Sequence, residues 1–244
     1  MARHRFRYCY CHGVLLLMFD WTTIDDVLLD MDGTLLDLHF DTHFWTEHLP
    51  LRYAERHQLT LAEAKGLLLP KMAQLQGSID WYSIDFWSRE LDLDVALLKE
   101  EVAHLIALQP QVIPFLQRLR QLGKRVLLVT NAHQRSIELK MRRTPLGEHL
   151  DAVVCAHDFG VPKEQPPFWH RLHARHPFNP DRALLIDDTL PVLYAAQDYG
   201  IGALLAIRRP NSQLPAHEVT AFPAIEQFGE LLPTLERHRQ SSFS

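Results

Sequence analysis

An α/β fold, with a parallel sheet covered by helices on both faces, is predicted by three observations. Short apolar runs alternate with helical stretches over much of residues 109–207, the pattern of repeated strand–helix–strand units. The runs are almost wholly apolar, as strands buried on both faces should be. Polar residues follow the runs at once, and open α/β sheets bind ligands outside the carboxyl ends of their strands.

The first run, Val27-Leu28-Leu29, predicts a buried strand over Val27–Asp30 that feeds into Asp30-Met31-Asp32-Gly33-Thr34. The pattern then changes. Between Phe40 and Leu108 there is no strand signal, and helical spacing predicts helices over Phe44–His57, Leu61–Gln74, Ile79–Glu90 and Val95–Leu108. Thr60 with Glu63 predicts a capping box, and Asp94 predicts the cap of the next helix. Alternation resumes after Pro110. Helices are expected over Pro114–Leu122, Gln134–Arg143, Pro167–Arg175 and Leu190–Tyr199, with Gly123 and Gly200 as stops. Strands are expected over Arg125–Thr130, Ala152–Ala156, Ala183–Ile186 and Ala203–Ile207. The tail, Ala224–Arg239, reads as a helix, and Pro210–Pro215 as a mobile loop. The predicted organisation is an extension over 1–19, an α/β domain over 20–38 and 109–244, and an all-helical domain over 39–108 lodged inside it.

Composition narrows the function classes. Of 244 residues, 47% are apolar and 23% charged, an ordinary globular balance. A net charge of −5 offers no basic footprint for a nucleic acid polymer. No apolar run reaches the 18 or so residues of a membrane span, so no membrane partner is expected. Cys9, Cys11 and Cys155 make no disulfide framework, which favours a reducing cytoplasm. Arg3, Arg5 and Arg7 before Val14–Phe19 mimic a signal peptide, but the apolar stretch is short and no cleavage site follows before Asp20. Residues 1–17 read as a dispensable extension, or a mis-assigned start with Met18 as the true one. The sequence does not set the oligomeric state, and a monomer is compatible with it.

The strand ends carry the chemistry. Asp30 and Asp32 follow the first strand, Thr130-Asn131 ends the second, Lys163 lies between the third and fourth, and Asp187-Asp188 ends the fourth. Residues at i and i+2 of a strand share a face, so Asp30 and Asp32 are expected to aim at one spot. Two such charges about 4 Å apart repel by roughly 4 kcal/mol at an effective dielectric of 20. Clustered aspartates call for a hard cation with oxygen ligands, most simply Mg²⁺. The Thr130 hydroxyl and the Lys163 ammonium suit a phosphate beside it. One carboxylate can attack phosphorus and the other can shuttle the proton.

Together these residues closely resemble the four motifs of the haloacid dehalogenase-like superfamily of phosphatases, in order and spacing. The resemblance implies a Rossmann-like core with an inserted helical cap that closes over substrate. It implies Asp30 as nucleophile, Asp32 as general acid/base, and Mg²⁺ held by Asp30, the Asp32 carbonyl and Asp187 or Asp188. Trp81-Tyr82, Asp85, Trp87-Ser88, Asn131-Ala132-His133 and Phe159-Gly160-x-Pro162-Lys163-Glu164 further resemble the bacterial GMP/IMP 5′-nucleotidases of that superfamily. That implies a purine ribonucleoside 5′-monophosphate as substrate, with Thr130, Asn131, Lys163, Asp41, His133 and Trp81 as candidate contacts. Trp81 could stack on a base, although rings at helical spacing also pack cores. Other readings stay open: a sugar-phosphate phosphatase or phosphosugar mutase on the same fold, or a non-catalytic protein that binds a phosphate ligand.

Overall fold

The computed structural model describes residues 6–11 and 14–235. Two strands, β1 (Phe6–Cys11) and β2 (Val14–Phe19), pair antiparallel as a hairpin separate from the main sheet. The rest of the sequence-predicted extension, residues 1–5 and 12–13, lies outside the described residues.

The main sheet has six strands, β3 (Asp26–Leu29), β4 (Arg125–Thr130), β5 (Ala152–Cys155), β6 (Ala183–Asp187), β7 (Ala203–Ile207) and β8 (Ala224–Ile225). Every neighbouring pair is parallel, in the order β5-β4-β3-β6-β7-β8. The first strand of the sheet is therefore central. Strand order reverses beside it, between β3 and β6, and such a switch point opens a crevice at the carboxyl ends.

Why the runs are wholly apolar is visible in the packing. Successive side chains of a strand point to opposite faces, and both faces are covered. Val27 and Leu29 join Leu128, Ile186 and Leu205 in one layer, against Phe115 and Leu119 of α6 (Val112–Gln121) and Ile137 of α7 (Gln134–Arg143). Leu28 joins Leu127, Val129 and Leu185 in the other, against Phe168 and Trp169 of α8 (Pro166–Arg175) and Leu193 of α9 (Leu190–Tyr199).

Residues between β3 and β4 are helical before α6. Helix α1 (His39–His43) runs through a π-helical turn at Phe44–His48 into α2 (Leu49–His57). Pro50 comes just after the π-helical turn, at the point where the helix returns to α geometry. Helices α3 (Leu61–Leu75), α4 (Ile84–Leu91) and α5 (Val95–Glu101) follow. Thr60 and Glu63 form the expected capping box, and the Asp94 side chain caps α5 by accepting from the Leu97 N–H. The stretch read as one helix over Ile79–Glu90 is divided, because Ser83 is extended and caps α4. The insertion has its own apolar cluster, including Phe44, Leu68, Met72, Trp87 and Val95, with Leu139 of α7 reaching into it. Its two connections lie side by side: the Asp37 N–H donates to the Ala107 carbonyl at 2.9 Å.

One tail expectation fails. Ala224–Ile225 is a sheet strand rather than the start of a helix, held by Ala206 N–H to Pro223 O and Arg208 N–H to Ile225 O. Residues 236–239 of that predicted helix lie outside the described residues. The loop Pro210–Pro215 is tied to the base of the insertion, with the Pro210 carbonyl accepting from Leu38 N–H and Gln109 Nε2 and the Ser212 N–H donating to Asp37. Among the described residues no helix is long and apolar enough to cross a membrane.

Candidate active site

Asp30 follows β3, and its N–H continues the ladder to the Ile186 carbonyl at 3.0 Å. Asp187 ends β6, the neighbouring strand. The two acids thus meet at the switch point because their strands pair in register, and Asp188 follows. One carboxylate oxygen each from Asp30, Asp187 and Asp188 lies within 4.8 Å of the others. Lys163 Nζ lies between two of them, 2.5 Å from Asp30 Oδ1 and 2.7 Å from Asp187 Oδ2. Lys163, Asp30 and Asp187 are buried.

Burial pushes the Asp30 carboxyl up to about 6, against the pull of Lys163 and with Asp187 adding to the rise. Burial likewise raises Asp187. Asp188 is raised well above the usual carboxylate range by burial and by repulsion from Asp30 and Asp187. Burial alone would lower the Lys163 ammonium, but Asp187 and Asp30 outweigh it and hold the charge on. The cluster is short of positive charge: three carboxylates face one ammonium, and Asp188 has no ion pair among the described residues. Its recorded side-chain partner is the Thr189 hydroxyl, at 3.3 Å from Oδ1. Three hard oxygen donors with a charge deficit fit a small divalent cation such as Mg²⁺.

Thr130 ends β4, and Asn131 follows it. Thr130 is buried, and its Oγ1 accepts from the Ala132 N–H at 3.0 Å. Asn131 Oδ1 accepts from the Lys163 N–H at 2.8 Å, which fixes the backbone that carries the ammonium. Asn131 Nδ2 donates to Glu164 at 2.9 Å, and Tyr82 of the insertion donates its hydroxyl to the same carboxylate at 2.5 Å.

Asp32 departs from expectation. Strand β3 stops at Leu29, so the two-residue strand period no longer governs the side chains of Asp30 and Asp32. The Asp32 carboxylate is not part of the triad. It accepts instead from Lys140 Nζ of α7 at 2.6 Å. Burial pushes Asp32 up to about 7, with Lys140 opposing and with Asp41 and Asp30 adding. Two carboxylates of one motif therefore sit in two different environments, Asp30 on Lys163 and Asp32 on Lys140.

The other expected contacts have partners of their own. Asp41, on α1, gives one oxygen to Lys140 and the other to Lys99, each at 2.6 Å. These lysines outweigh its burial and hold it well below the usual range. Its oxygens are thus taken up by lysines rather than left open for a sugar. His133 caps α7, and its Nε2 lies 3.6 Å from Asp85 of α4. Trp81 packs against the insertion's apolar cluster, and its carbonyl accepts from the Trp87 ring N–H. Its neighbour Tyr82 makes the crossing to Glu164. Lys140 and Lys99 were missed in the sequence, where each sits among charged neighbours. The available signal was their spacing: Lys140 is three residues from Ile137, and Lys99 four from Val95, each on the buried stripe of its helix.

Gly33 makes the turn after Asp32 with φ +84°, and a Cβ there would stand 2.4 Å from Asp188 Oδ2. Gly33→Ala is expected to lower stability by about 1–3 kcal/mol, the scale of a strained left-handed residue. It is also expected to cut phosphate release from a monoester roughly tenfold by pushing Asp188 aside. Denaturant titration and a phosphate assay read the two effects separately.

Comparison with known proteins agrees with this geometry. A family model described as a haloacid dehalogenase-like hydrolase matches residues 24–200. The chain is 35% identical over 215 residues to the GMP/IMP nucleotidase YrfG of Escherichia coli (strain K12), covering 88% of this chain and 97% of that protein. Among solved structures it is similar to an HAD phosphatase from Thermococcus onnurineus, with a TM-score of 0.71, 24% identity, and coverage of 87% and 98% of the two chains. It is also similar in fold to an L-2-haloacid dehalogenase from Xanthobacter autotrophicus, with a TM-score of 0.59, 16% identity, and coverage of 88% and 98%. A site at the β3/β6 switch point, a family match across most of the chain and a relative aligned almost end to end agree, and the chain belongs to the haloacid dehalogenase-like hydrolases.

Proposed function

We propose that this hydrolase of phosphoric monoesters acts on purine ribonucleoside 5′-monophosphates, with Asp30 as nucleophile and Asp32 as general acid/base. The observation that carries the reading of roles is the split of the first motif: Asp30 stands in the acidic cluster beside Lys163, and Asp32 stands apart on Lys140.

In this reading an Asp30 oxygen attacks phosphorus, and the bond from phosphorus to the ester oxygen breaks. Asp32 gives its proton to the departing alcohol, then takes one from the water that attacks the aspartyl-phosphate. Inorganic phosphate leaves and Asp30 is restored. A pKa raised to about 7 suits a group that must carry the proton and then accept one near neutrality. In this reading Lys163 and the Thr130 hydroxyl hold phosphate oxygens. Mg²⁺, held by Asp30, Asp187 and Asp188 with the Asp32 carbonyl, would neutralise charge between nucleophile and phosphate.

The helical insertion over 39–108 serves as a cap in this reading. Support comes from its side-by-side connections and from the Tyr82–Glu164 and His133–Asp85 contacts that bring it onto the core. The purine preference is supported by the similarity to the GMP/IMP nucleotidase of Escherichia coli. A monomer in a reducing cytoplasm completes the reading, and the free, buried Cys155 is compatible with that compartment.

Phosphate release across a panel of nucleotides and sugar phosphates tests the substrate. GMP and IMP are expected to exceed sugar phosphates by about tenfold or more in kcat/KM, equivalent to about 1.4 kcal/mol of discrimination. A flat panel would overturn the purine reading. Isomerisation of a phosphosugar without phosphate release would replace it with a mutase. A chelator is expected to abolish release, and added Mg²⁺ to restore it.

A further inference from the structure

We propose that Lys140 is a positioning residue for Asp32: its ammonium clamps one carboxylate oxygen and leaves the other free to face the leaving group. The proposal rests on the reading of Asp32 as general acid/base. Lys140 Nζ donates to Asp32 Oδ1 at 2.6 Å, and among the described residues Asp32 Oδ2 accepts no hydrogen bond. Lys140 is 1% exposed, whereas the Asp32 side chain keeps 21% of its surface. One oxygen is thus held inside and the other has room for a partner from outside.

What holds the clamp is equally specific. Asp41 takes a second N–H of Lys140, and Lys99 holds the other Asp41 oxygen. The four groups form an alternating chain, Asp32–Lys140–Asp41–Lys99, neutral when Asp32 is ionised, and the two flanking carboxylates outweigh burial and keep the proton on Lys140. Aromatic faces wall it in. The Phe40 ring centroid is 5.3 Å from Lys140 Nζ, and those of Phe40, Phe44 and Trp45 are 4.9, 4.7 and 5.3 Å from Lys99 Nζ. Four charges in so apolar a setting have few alternative arrangements, so the Asp32 carboxylate has one orientation. Lys140 comes from the α/β core, whereas Asp41 and Lys99 come from the insertion. The chain therefore also joins the two parts at the acid/base.

A merely structural staple would slow all esters alike when removed. A positioning residue for a general acid would instead slow esters whose leaving group needs a proton. The test is kcat/KM of Lys140→Met with a nucleoside 5′-monophosphate and with p-nitrophenyl phosphate, whose phenolate leaves without protonation. The expected loss is about 10²-fold for the nucleotide. The expected loss for the aryl ester is at least tenfold smaller. A burst of p-nitrophenolate is also expected, because Asp32 is still needed to activate the hydrolytic water. Lys140→Gln, which keeps N–H donors without the charge, should recover part of the nucleotide activity and serves if the Met variant does not fold. Equal losses on both esters, or no loss on the nucleotide, would overturn the proposal. Failure of the unaltered enzyme to release phosphate from any ester would instead sink the functional reading on which it rests.

Discussion

Replacing Asp30 with Asn abolishes turnover, with an expected loss on the order of 10⁴-fold or more, as when other covalent nucleophiles are removed. The amide is nearly isosteric but cannot attack phosphorus as a carboxylate does. The fold is expected to survive. An Asn side-chain oxygen still accepts from Lys163, and the substitution removes one member of a crowded acidic triad. Circular dichroism and a thermal melt should therefore match the parent, and phosphate release should not. Residual activity within tenfold of the parent would exclude Asp30 as the nucleophile. Asp32→Asn offers a contrast, because it leaves the nucleophile in place and removes the proton carrier. Its loss should be about 10²–10⁴-fold, and smaller for aryl esters.

Lys163→Met should harm the fold as well as the activity. Among the described residues Lys163 is the one ammonium paired with Asp30 and Asp187, and both acids are buried. Removing one partner from a buried ion pair costs about 3–5 kcal/mol, because the remaining charge is left uncompensated. The effect has a definite pH dependence. Without the ammonium, burial and mutual repulsion raise the carboxyl pKa values further above those of the unfolded chain. A carboxyl raised in this way holds its proton in the folded state, so its contribution is present at low pH and lost as pH rises through the folded pKa. The deficit of the variant should therefore be smaller near pH 5 than near pH 8. Added Mg²⁺ should recover part of it, since an ion that binds only the folded state stabilises that state. Denaturant midpoints at two pH values, with and without Mg²⁺, measure all three effects. A variant as stable as its parent at pH 8 would mean that these acids do not depend on Lys163.

Where sequence reading succeeded, local pattern and structure had the same cause. Val126–Val129 and Ala203–Ile207 are apolar throughout because both faces of the sheet are covered, and strands run over the predicted spans Arg125–Thr130 and Ala203–Ile207. Gln134–Arg143 and Leu190–Tyr199 likewise keep their predicted ends. Where it failed, the cause was non-local. Ala224–Ile225 is a two-residue strand specified by the edge of β7 and not by any period of its own. Asp30 and Asp32 were legible as a pair. Their separation into two environments was not, since it depends on Lys163 and Lys140, which lie 133 and 108 residues further along. Lys140 illustrates the limit well: its neighbours Glu138, Arg142 and Arg143 read as a solvated face, and only the three-residue step from Ile137 marks it as buried.

The order of the sheet also bears on how the protein is made. Strand β3 is the first of the six to be synthesised and lies between β4 and β6. Roughly a hundred residues separate it from β4, the earlier of those neighbours to be made. At a translation rate of about 5–20 residues per second, that is about 5–20 seconds without a partner. During that interval the helical insertion is completed, with nearly all of its apolar cluster in hand except Leu139. The nascent chain therefore carries a helical unit able to collapse early and an apolar strand that must wait. That waiting strand, rather than the charged site it will later carry, is open to pairing with another chain during biogenesis.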